Sequence, residues 1–246
     1  MTKPVGVYDS GIGGLTVLEV LKQRFPQENW LYLQDAEHRP YGSRSQKEII
    51  SLGRQCLDTL QGAGIKACVV ACHTSSALAL SRLESDYAFP LVGMISPSVR
   101  ALCMRPDTPV LWLATRASII SNTLMISARR AGFRGKVCPV ICDGWVEQIE
   151  KGLSSITNEA MIRHTLAPYQ QWIKQNSPQI LYGCTHYPWL DGSLQSILGQ
   201  HLHYIDPAKW VGDDLAEVLS SADAMTPVNS GKVVRLSSGR AIKVMG

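Results

Sequence analysis

The chain of 246 residues contains no apolar run long enough to cross a membrane, which would need about 20 consecutive residues. Its first residues, MTKPVGVYDSG, lack the apolar core of a secretory signal peptide. Polar low-complexity stretches, typical of disordered chains, are also missing. These absences argue against a membrane-embedded, secreted or disordered protein. They predict a globular protein that is soluble in the cytoplasm.

The sequence also lacks a block of basic residues. Its 24 Lys and Arg residues are scattered along the chain and nearly balanced by 20 Asp and Glu, which leaves a formal net charge of +4. Nucleic-acid binding proteins usually concentrate positive charge in one patch or stripe. The charge pattern therefore predicts an ordinary solvated surface, with neither a nucleic acid nor a membrane as partner.

A disulfide framework is missing as well, because the cysteines are odd in number and sparse. They are Cys56, Cys68, Cys72, Cys103, Cys138, Cys142 and Cys184. Two pairs have a spacing of four residues, but this is a loose fit to zinc-ligand spacing and no histidine pattern flanks them. The sequence therefore predicts reduced thiols and no metal site.

The signatures of two common cofactors are incomplete. DSGIGGLT resembles the start of a dinucleotide-binding fingerprint, but Thr16 occupies the position of its third glycine. Lys66, at the start of a buried apolar segment, has no surroundings that suggest a pyridoxal Schiff base. We therefore expect a protein that works without a cofactor.

Strand and helix patterns alternate along the whole chain. VGVYDS (5–10), NWLYLQD (29–35) and IKACVVA (65–71) read as strands, and helical periodicity predicts helices from about Ser45 and over 162–173. The apolar faces of these two helices are formed by Ile49, Leu52, Cys56 and Leu60 and by Ile162, Leu166, Tyr169 and Ile173. Alternation of this kind predicts parallel sheets covered by helices.

The second half of the chain repeats the pattern of the first. TPVLWLATRAS (108–118) has the strand-then-hydroxyl form of the opening, and SPQILYG (177–183) leads into Cys184 much as IKACVVA leads into Cys72. The pattern predicts an α/β fold of two similar domains with mostly parallel sheets, a pseudo-twofold duplication. We expect a first domain of residues 1–96 plus 207–246, a second of 97–206, and an active site in the cleft between them.

The ends of two similar predicted strands hold the candidate catalytic residues. VVACHTSSA (69–77) and ILYGCTHYP (180–188) each deliver a cysteine at the carboxyl end of a strand and before a predicted helix start. A helix N-terminus favours a thiolate, although its contribution of about 0.3–1 kcal/mol needs further partners. Asp9 and His186 are candidates for that role and for passing protons. Two acid–base groups on opposite faces of one carbon would invert a stereocentre.

Four motifs in order resemble the cofactor-independent glutamate racemases of the aspartate/glutamate racemase superfamily. They are GVYDSGIGGLTVL (6–18), DAEHRPYGSR (35–44), ACHTSSA (71–77) and LYGCTHYP (181–188). The resemblance covers most of the chain. It implies interconversion of L- and D-glutamate, supply of D-glutamate for bacterial peptidoglycan, and a homodimer.

The resemblance also implies roles for individual residues. Cys72 and Cys184 would be the paired acid–base thiols, assisted by Asp9, His186 and Glu147 of WVEQIEKG. The substrate would be held by Asp9, Ser10, Tyr41, Gly42, His73, Thr74, Thr115, Thr185 and His186. The backbone and hydroxyl groups in this set are neutral hydrogen-bond donors, which hold a carboxylate without adding a base that competes for the Cα proton.

One departure from the family motif bears on the substrate. His73 stands where the family usually has Asn, at a position expected to grip the amino-acid head group. A racemase of a related amino acid such as aspartate therefore remains an alternative. Two others are a non-enzymatic binding protein on the same fold, for example one that modulates DNA gyrase, and a Cys–His hydrolase, which would leave the second cysteine without a role.

Overall fold

The computed structural model describes residues 3–152, 154–221, 231–238 and 240–244. The first of its two sheets has six strands in the order β10-β9-β2-β1-β3-β4. They are β1 (Val5–Asp9), β2 (Trp30–Gln34), β3 (Ala67–Val70), β4 (Leu91–Gly93), β9 (Val233–Ser237) and β10 (Arg240–Val244). Every neighbouring pair is parallel except β9 with β10, which is antiparallel.

The second sheet has four strands, all parallel, in the order β6-β5-β7-β8. They are β5 (Val110–Ala114), β6 (Val137–Ile141), β7 (Gln179–Gly183) and β8 (Tyr204–Ile205). In the first sheet β1 lies between β2 and β3, and β4 lies at the edge. In the second sheet β5 lies between β6 and β7 in the same way, and β8 lies at the edge. This shared order is the duplication that the sequence predicts, and the predicted fold class is confirmed.

Helices cover both sheets. Those that begin in the first part of the chain are α1 (Gly14–Arg24), α2 (Gln46–Gly62), α3 (His73–Leu78), α4 (Leu80–Leu83) and α5 (Ile95–Cys103). The others are α6 (Arg116–Ser121), α7 (Thr123–Arg130), α8 (Trp145–Glu150), α9 (Ser155–Leu166), α10 (Gln170–Asn176), α11 (Asp191–Leu198) and α12 (Ala208–Ser221). Short 3₁₀ helices span Glu84–Asp86, Ala167–Tyr169 and Tyr187–Leu190. No helix among the described residues is long and apolar enough to cross a membrane.

Each face of the first sheet has its own apolar core. Neighbouring residues of a strand point to opposite faces, so Val7 packs on the side of α1 and α12, whereas Tyr8 packs on the side of α2. The second sheet is likewise covered on both faces. Burial on both sides explains why the strands read as apolar runs rather than as alternating patterns.

The helix predicted from Ser45 is confirmed, whereas the second predicted helix is interrupted. Ser45 caps α2 in a reciprocal capping box with Glu48, and all four residues of the predicted apolar face are buried. The pattern over 162–173 is divided between α9 and α10 by a 3₁₀ turn that contains Pro168. Proline has no N–H for the helical hydrogen bond and its ring clashes with the preceding turn.

The chain returns to the first sheet near its end. α12 packs against α1 and α5, and β9 pairs with β2. We call the six-stranded sheet and its helices the first domain, and the four-stranded sheet and its helices the second domain. The predicted boundary at 96/97 falls inside α5, and part of the predicted 207–246 segment (222–230, 239 and 245–246) lies outside the described residues. The exact domain limits stay a prediction.

Candidate active site

The carboxyl ends of the two sheets face each other, and the predicted site residues lie between them. Asp9 ends β1, Cys72 follows β3, Thr115 follows β5, and Cys184 follows β7. Two side-chain hydrogen bonds connect the facing ends: Thr185 donates to Asp9 at 3.1 Å, and the hydroxyls of Thr74 and Thr115 are 2.9 Å apart. The two thiols therefore come from equivalent strands of the two domains and lie in one interdomain cleft.

Cys72 lies at the start of a helix, as the sequence predicts. It is the N-cap residue of α3, its side chain is 5% exposed, and its Sγ lies 3.4 Å from the Ser10 hydroxyl. Ser10 directly follows β1, so the first and third strands of the first domain jointly place this pair. The partner of the first thiol is thus a neutral hydroxyl group.

Cys184 has a different kind of partner. Its Sγ lies 3.6 Å from Nδ1 of His186, and Nε2 of the same ring lies 2.9 Å from Oε1 of Glu150. The helix predicted directly after Cys184 is a 3₁₀ helix that begins at Tyr187. An imidazole paired with a carboxylate, rather than an α-helix N-terminus, is therefore the group placed to exchange a proton with this thiol.

Asp9 lies between the two halves of the site and is fully buried. It accepts hydrogen bonds from the Gly11 backbone N–H at 2.9 Å and from the Thr185 hydroxyl. Burial raises its pKa from the usual 3.8 to about 6, against the opposing influence of His186 and the two hydrogen bonds. Asp9 is therefore poised to gain or lose a proton close to neutral pH, which an acid–base role requires.

Burial raises the pKa of both thiols above the ordinary value for cysteine. For Cys72 the charge of Asp9 adds to this increase, and for Cys184 the charges of Asp9 and Cys72 do the same. The Cys184 thiol is thus close enough to Cys72 to feel its charge. The sequence expectation of thiols activated by helix ends misses this desolvation. Because a nearby positive charge favours a thiolate, an ammonium group bound between the sulfurs would lower the pKa of both thiols.

The predicted hydroxyl and imidazole contacts line the same region. Thr74, Thr115 and Ser118 form a buried chain of hydroxyls across the cleft. His73 is buried at the first position of α3, and burial lowers the pKa of its ring to about 3. Its imidazole is therefore neutral at physiological pH, so it differs from asparagine in shape but adds no charge.

Tyr41 and Gly42 reach the cleft in different ways. The buried Tyr41 hydroxyl donates to Asp35 at 2.6 Å. Gly42 lies so close to Thr115 that a Cβ at this position would come within 2.9 Å of the threonine side chain. Its carbonyl accepts a hydrogen bond from the Ala117 backbone N–H of the second domain. This loop therefore meets the second domain through its backbone at Gly42.

Glu147 and Glu150 lie on the same short helix, α8, but face different surroundings. Glu147 is exposed and lines the outer part of the cleft beside Gly42 and Thr115. Glu150 points inward to His186 and the Ile12 backbone N–H. Glu150, three positions after the predicted Glu147 and not named by the sequence analysis, is therefore the glutamate that contacts His186. The segment WVEQIEKG carries both glutamates, and only the orientation of α8 distinguishes them.

Replacing Asp9 with asparagine is expected to stabilise the protein while it lowers activity. A carboxyl group whose pKa is raised in the folded state destabilises the fold above that pKa, and the penalty disappears as the pH falls below the unfolded value of 3.8. A shift to about 6 corresponds to about 3 kcal/mol. Because asparagine pairs less well with the Gly11 N–H, we expect a net gain of about 2 kcal/mol in the free energy of unfolding at pH 8.

Urea unfolding of Asp9→Asn and of the unaltered protein at pH 8, 5 and 4 measures this gain. The difference should shrink steadily as the pH falls. A destabilised variant at pH 8, or a difference that is independent of pH, would contradict the raised pKa of Asp9.

A duplicated α/β fold that encloses two thiols between its domains defines the class of two-domain α/β racemases. The profile of the Asp/Glu/Hydantoin racemase family matches residues 16–211. The chain belongs to this family, and it is therefore an isomerase.

Many known proteins similar to this chain are named glutamate racemases. A glutamate racemase from Roseiflexus is 36% identical over 241 residues, which cover 96% of this chain and 88% of the relative. A glutamate racemase structure from Bacillus anthracis superimposes with a TM-score of 0.88 at 27% identity, covering 97% of this chain and 89% of that one. A glutamate racemase from Francisella tularensis in complex with D-glutamate superimposes with a TM-score of 0.85 at 26% identity, covering 98% and 89%.

Proposed function

We propose that this protein is a glutamate racemase that inverts the Cα centre of glutamate with Cys72 and Cys184 as acid and base. One observation carries the proposal: the two thiols follow equivalent strands of duplicated domains and are buried together in the cleft between them. The names of the relatives support glutamate as the substrate.

The proposed reaction consists of two proton transfers. One cysteine, as thiolate, removes the Cα hydrogen as a proton and leaves the bonding electron pair on the substrate as an enolate-like carbanion. The other cysteine, as thiol, then donates its proton to the opposite face, so that a new C–H bond forms. The two sulfurs have exchanged protonation states at the end, which prepares the site for the reverse direction. The reaction needs neither a cofactor nor a metal.

The surrounding groups are suited to this chemistry. The hydroxyls of Thr74, Thr115 and Thr185 offer neutral donors to the substrate carboxylate, where negative charge accumulates during deprotonation. The positive ammonium group of glutamate would favour the thiolates that burial otherwise opposes. His186 and Asp9 are placed to hold or pass the protons of the thiols.

The wider setting follows from the proposed activity. We propose that the D-glutamate produced serves peptidoglycan synthesis, and that the enzyme acts in the cytoplasm as a homodimer. The support for these points is the similarity to glutamate racemases along nearly the whole chain.

Incubation of the protein with L-glutamate in deuterated water tests the proposal. Because the thiol that donates would carry deuterium from solvent, D-glutamate should form with deuterium at Cα, while recovered L-glutamate retains hydrogen at early times. Deuterium appearing equally in both at early times would contradict two bases, and absence of both exchange and inversion would remove glutamate as a substrate. Aspartate, assayed in parallel, measures any change of preference caused by His73.

A further inference from the structure

A contact between the domains connects a surface arginine to one of the two thiols. Arg39 lies in the loop of the first domain just before Pro40, and its guanidinium reaches Oε2 of Glu150 at 2.5 Å. Glu150 is the last residue of α8 in the second domain. Its side chain is only 8% exposed, whereas that of Arg39 is 39% exposed. The pair therefore closes the edge of the cleft over a nearly buried carboxylate.

The other oxygen of the same carboxylate is directed at the catalytic centre. Oε1 of Glu150 accepts a hydrogen bond from the Ile12 backbone N–H at 2.9 Å and lies 2.9 Å from Nε2 of His186. A carboxylate held on both oxygens has little freedom to rotate. Burial opposes its ionisation, but the hydrogen bonds from His186 and Ile12, together with the charge of Arg39, keep the pKa of Glu150 below its usual range. The group is thus a fixed anion.

A fixed anion at Nε2 determines which nitrogen of the His186 ring carries the proton. An ionised carboxylate only accepts hydrogen bonds, so Nε2 must donate its N–H to Glu150. In the neutral ring, Nδ1 then presents its lone pair, and it faces the Cys184 sulfur at 3.6 Å. This is the tautomer that can accept the thiol proton. Cys72, whose partner is the Ser10 hydroxyl, is not a member of this series of contacts.

We propose that Arg39 is a positioning residue for one half of the reaction: by clamping Glu150 it holds His186 in the tautomer and orientation that serve Cys184. The inference rests on the proposed function and deepens it. It predicts that the two proton transfers depend differently on Arg39. Arg39 acts on the transfer by Cys184 at one face of the substrate and does not affect the transfer by Cys72 at the other face.

Racemisation rates alone do not reveal such an inequality. The two enantiomers of glutamate have equal free energies, so kcat/KM must be the same in both directions for every variant. A reaction that needs only one proton removal separates the two faces. With a 3-chloroglutamate, the thiolate takes the Cα proton, the C–H electrons form the Cα–Cβ double bond, and chloride leaves with the Cβ–Cl electron pair. Water then converts the enamine to 2-oxoglutarate and ammonia.

The experiment measures 2-oxoglutarate release from the two mirror-image forms of 3-chloroglutamate. We expect Arg39→Gln to lower kcat about tenfold for one form and to leave the other within about twofold, a fraction of the roughly 10²–10⁴ that a positioned acid–base group contributes. Arg39→Lys should restore part of the loss, since it keeps the charge but not the planar fork. Arg134→Gln, which removes an exposed ion pair with Asp107, is the matched control and should behave as wild type.

The outcomes separate the inference from the function on which it rests. Equal losses for both mirror-image forms would mean that Arg39 only closes the domains, and an unaltered Arg39→Gln variant would mean that Glu150 needs no clamp; either result overturns the inference alone. A wild-type protein that neither eliminates chloride nor exchanges the Cα hydrogen of glutamate overturns the proposed function together with the inference. Circular dichroism and Tm of each variant verify that it is folded.

Discussion

Replacing either Cys72 or Cys184 with serine is expected to stop racemisation while sparing hydrogen exchange at Cα of one glutamate enantiomer. Serine keeps the size of the side chain, but its hydroxyl is far too weak an acid to replace the thiol at neutral pH. The remaining thiol still reaches its own face of the substrate, removes the proton there and returns deuterium from solvent to the same face. Cys72→Ser and Cys184→Ser should therefore exchange opposite enantiomers.

The size of the effect follows from the loss of a general acid–base group. Such a group contributes roughly 10²–10⁴ to the rate, so racemisation by each variant should fall by about 10³ or more. Proton NMR in deuterated water follows exchange, and chiral chromatography follows inversion. Cys103→Ser is the matched control, because this half-buried thiol lies at the end of α5 and donates its hydrogen bond to the Ala131 carbonyl. If both variants favoured the same enantiomer, the two thiols would not lie on opposite faces.

The second large effect is expected at Glu150. Glu150→Gln keeps the shape of the side chain and an oxygen for the Ile12 N–H, but it removes the negative charge that pairs with His186 and Arg39. Without that charge, the Nε2–H tautomer of His186 loses its charge-assisted hydrogen bond, which is about twice as strong as a neutral one. We expect kcat for racemisation of glutamate to fall about 10- to 100-fold.

Glu147→Gln provides the comparison, since both glutamates belong to α8 and the substitution is chemically identical. The exposed Glu147 carboxylate lies at the outer cleft, so its replacement should change kcat less than about threefold. Steady-state kinetics of the two variants at the same pH gives the ranking. The reverse order would restore the original assignment of Glu147 as the assisting carboxylate and would remove Glu150 from the catalytic centre.

Several parts of the site could be predicted because the relevant signals are local. Apolar runs that end in Cys72 and Cys184 mark buried strands, and the carboxyl ends of parallel strands meet at one edge of a sheet. Helix α2 could likewise be predicted from local signals, because its capping residue Ser45 and its apolar face belong to the same short segment of sequence. Pro168 is also a local signal, but one that opposes the predicted structure: it interrupts the helix that the apolar spacing over 162–173 predicts.

Other parts of the site depend on residues that are distant in the sequence. Whether Glu147 or Glu150 contacts His186 depends on the rotation of α8 about its axis. In the observed orientation the Glu150 side chain contacts Arg39 and the Ile12 backbone N–H of the first domain. The pKa values of both thiols depend on desolvation, which exists only once the domains enclose the cleft. The sequence analysis expected helix ends, with Asp9 and His186 as further partners, to activate the thiols, and it did not include this desolvation.

The sequence by itself determined the duplicated α/β architecture and the two thiols at matched strand ends, since each is encoded by patterns a few residues long. The tertiary structure alone decided which glutamate meets His186, which partner each thiol receives and how strongly burial opposes their ionisation. Those properties arise from contacts between two domains, and electrostatic interactions across a closed cleft depend on distance and solvent exclusion rather than on order along the chain.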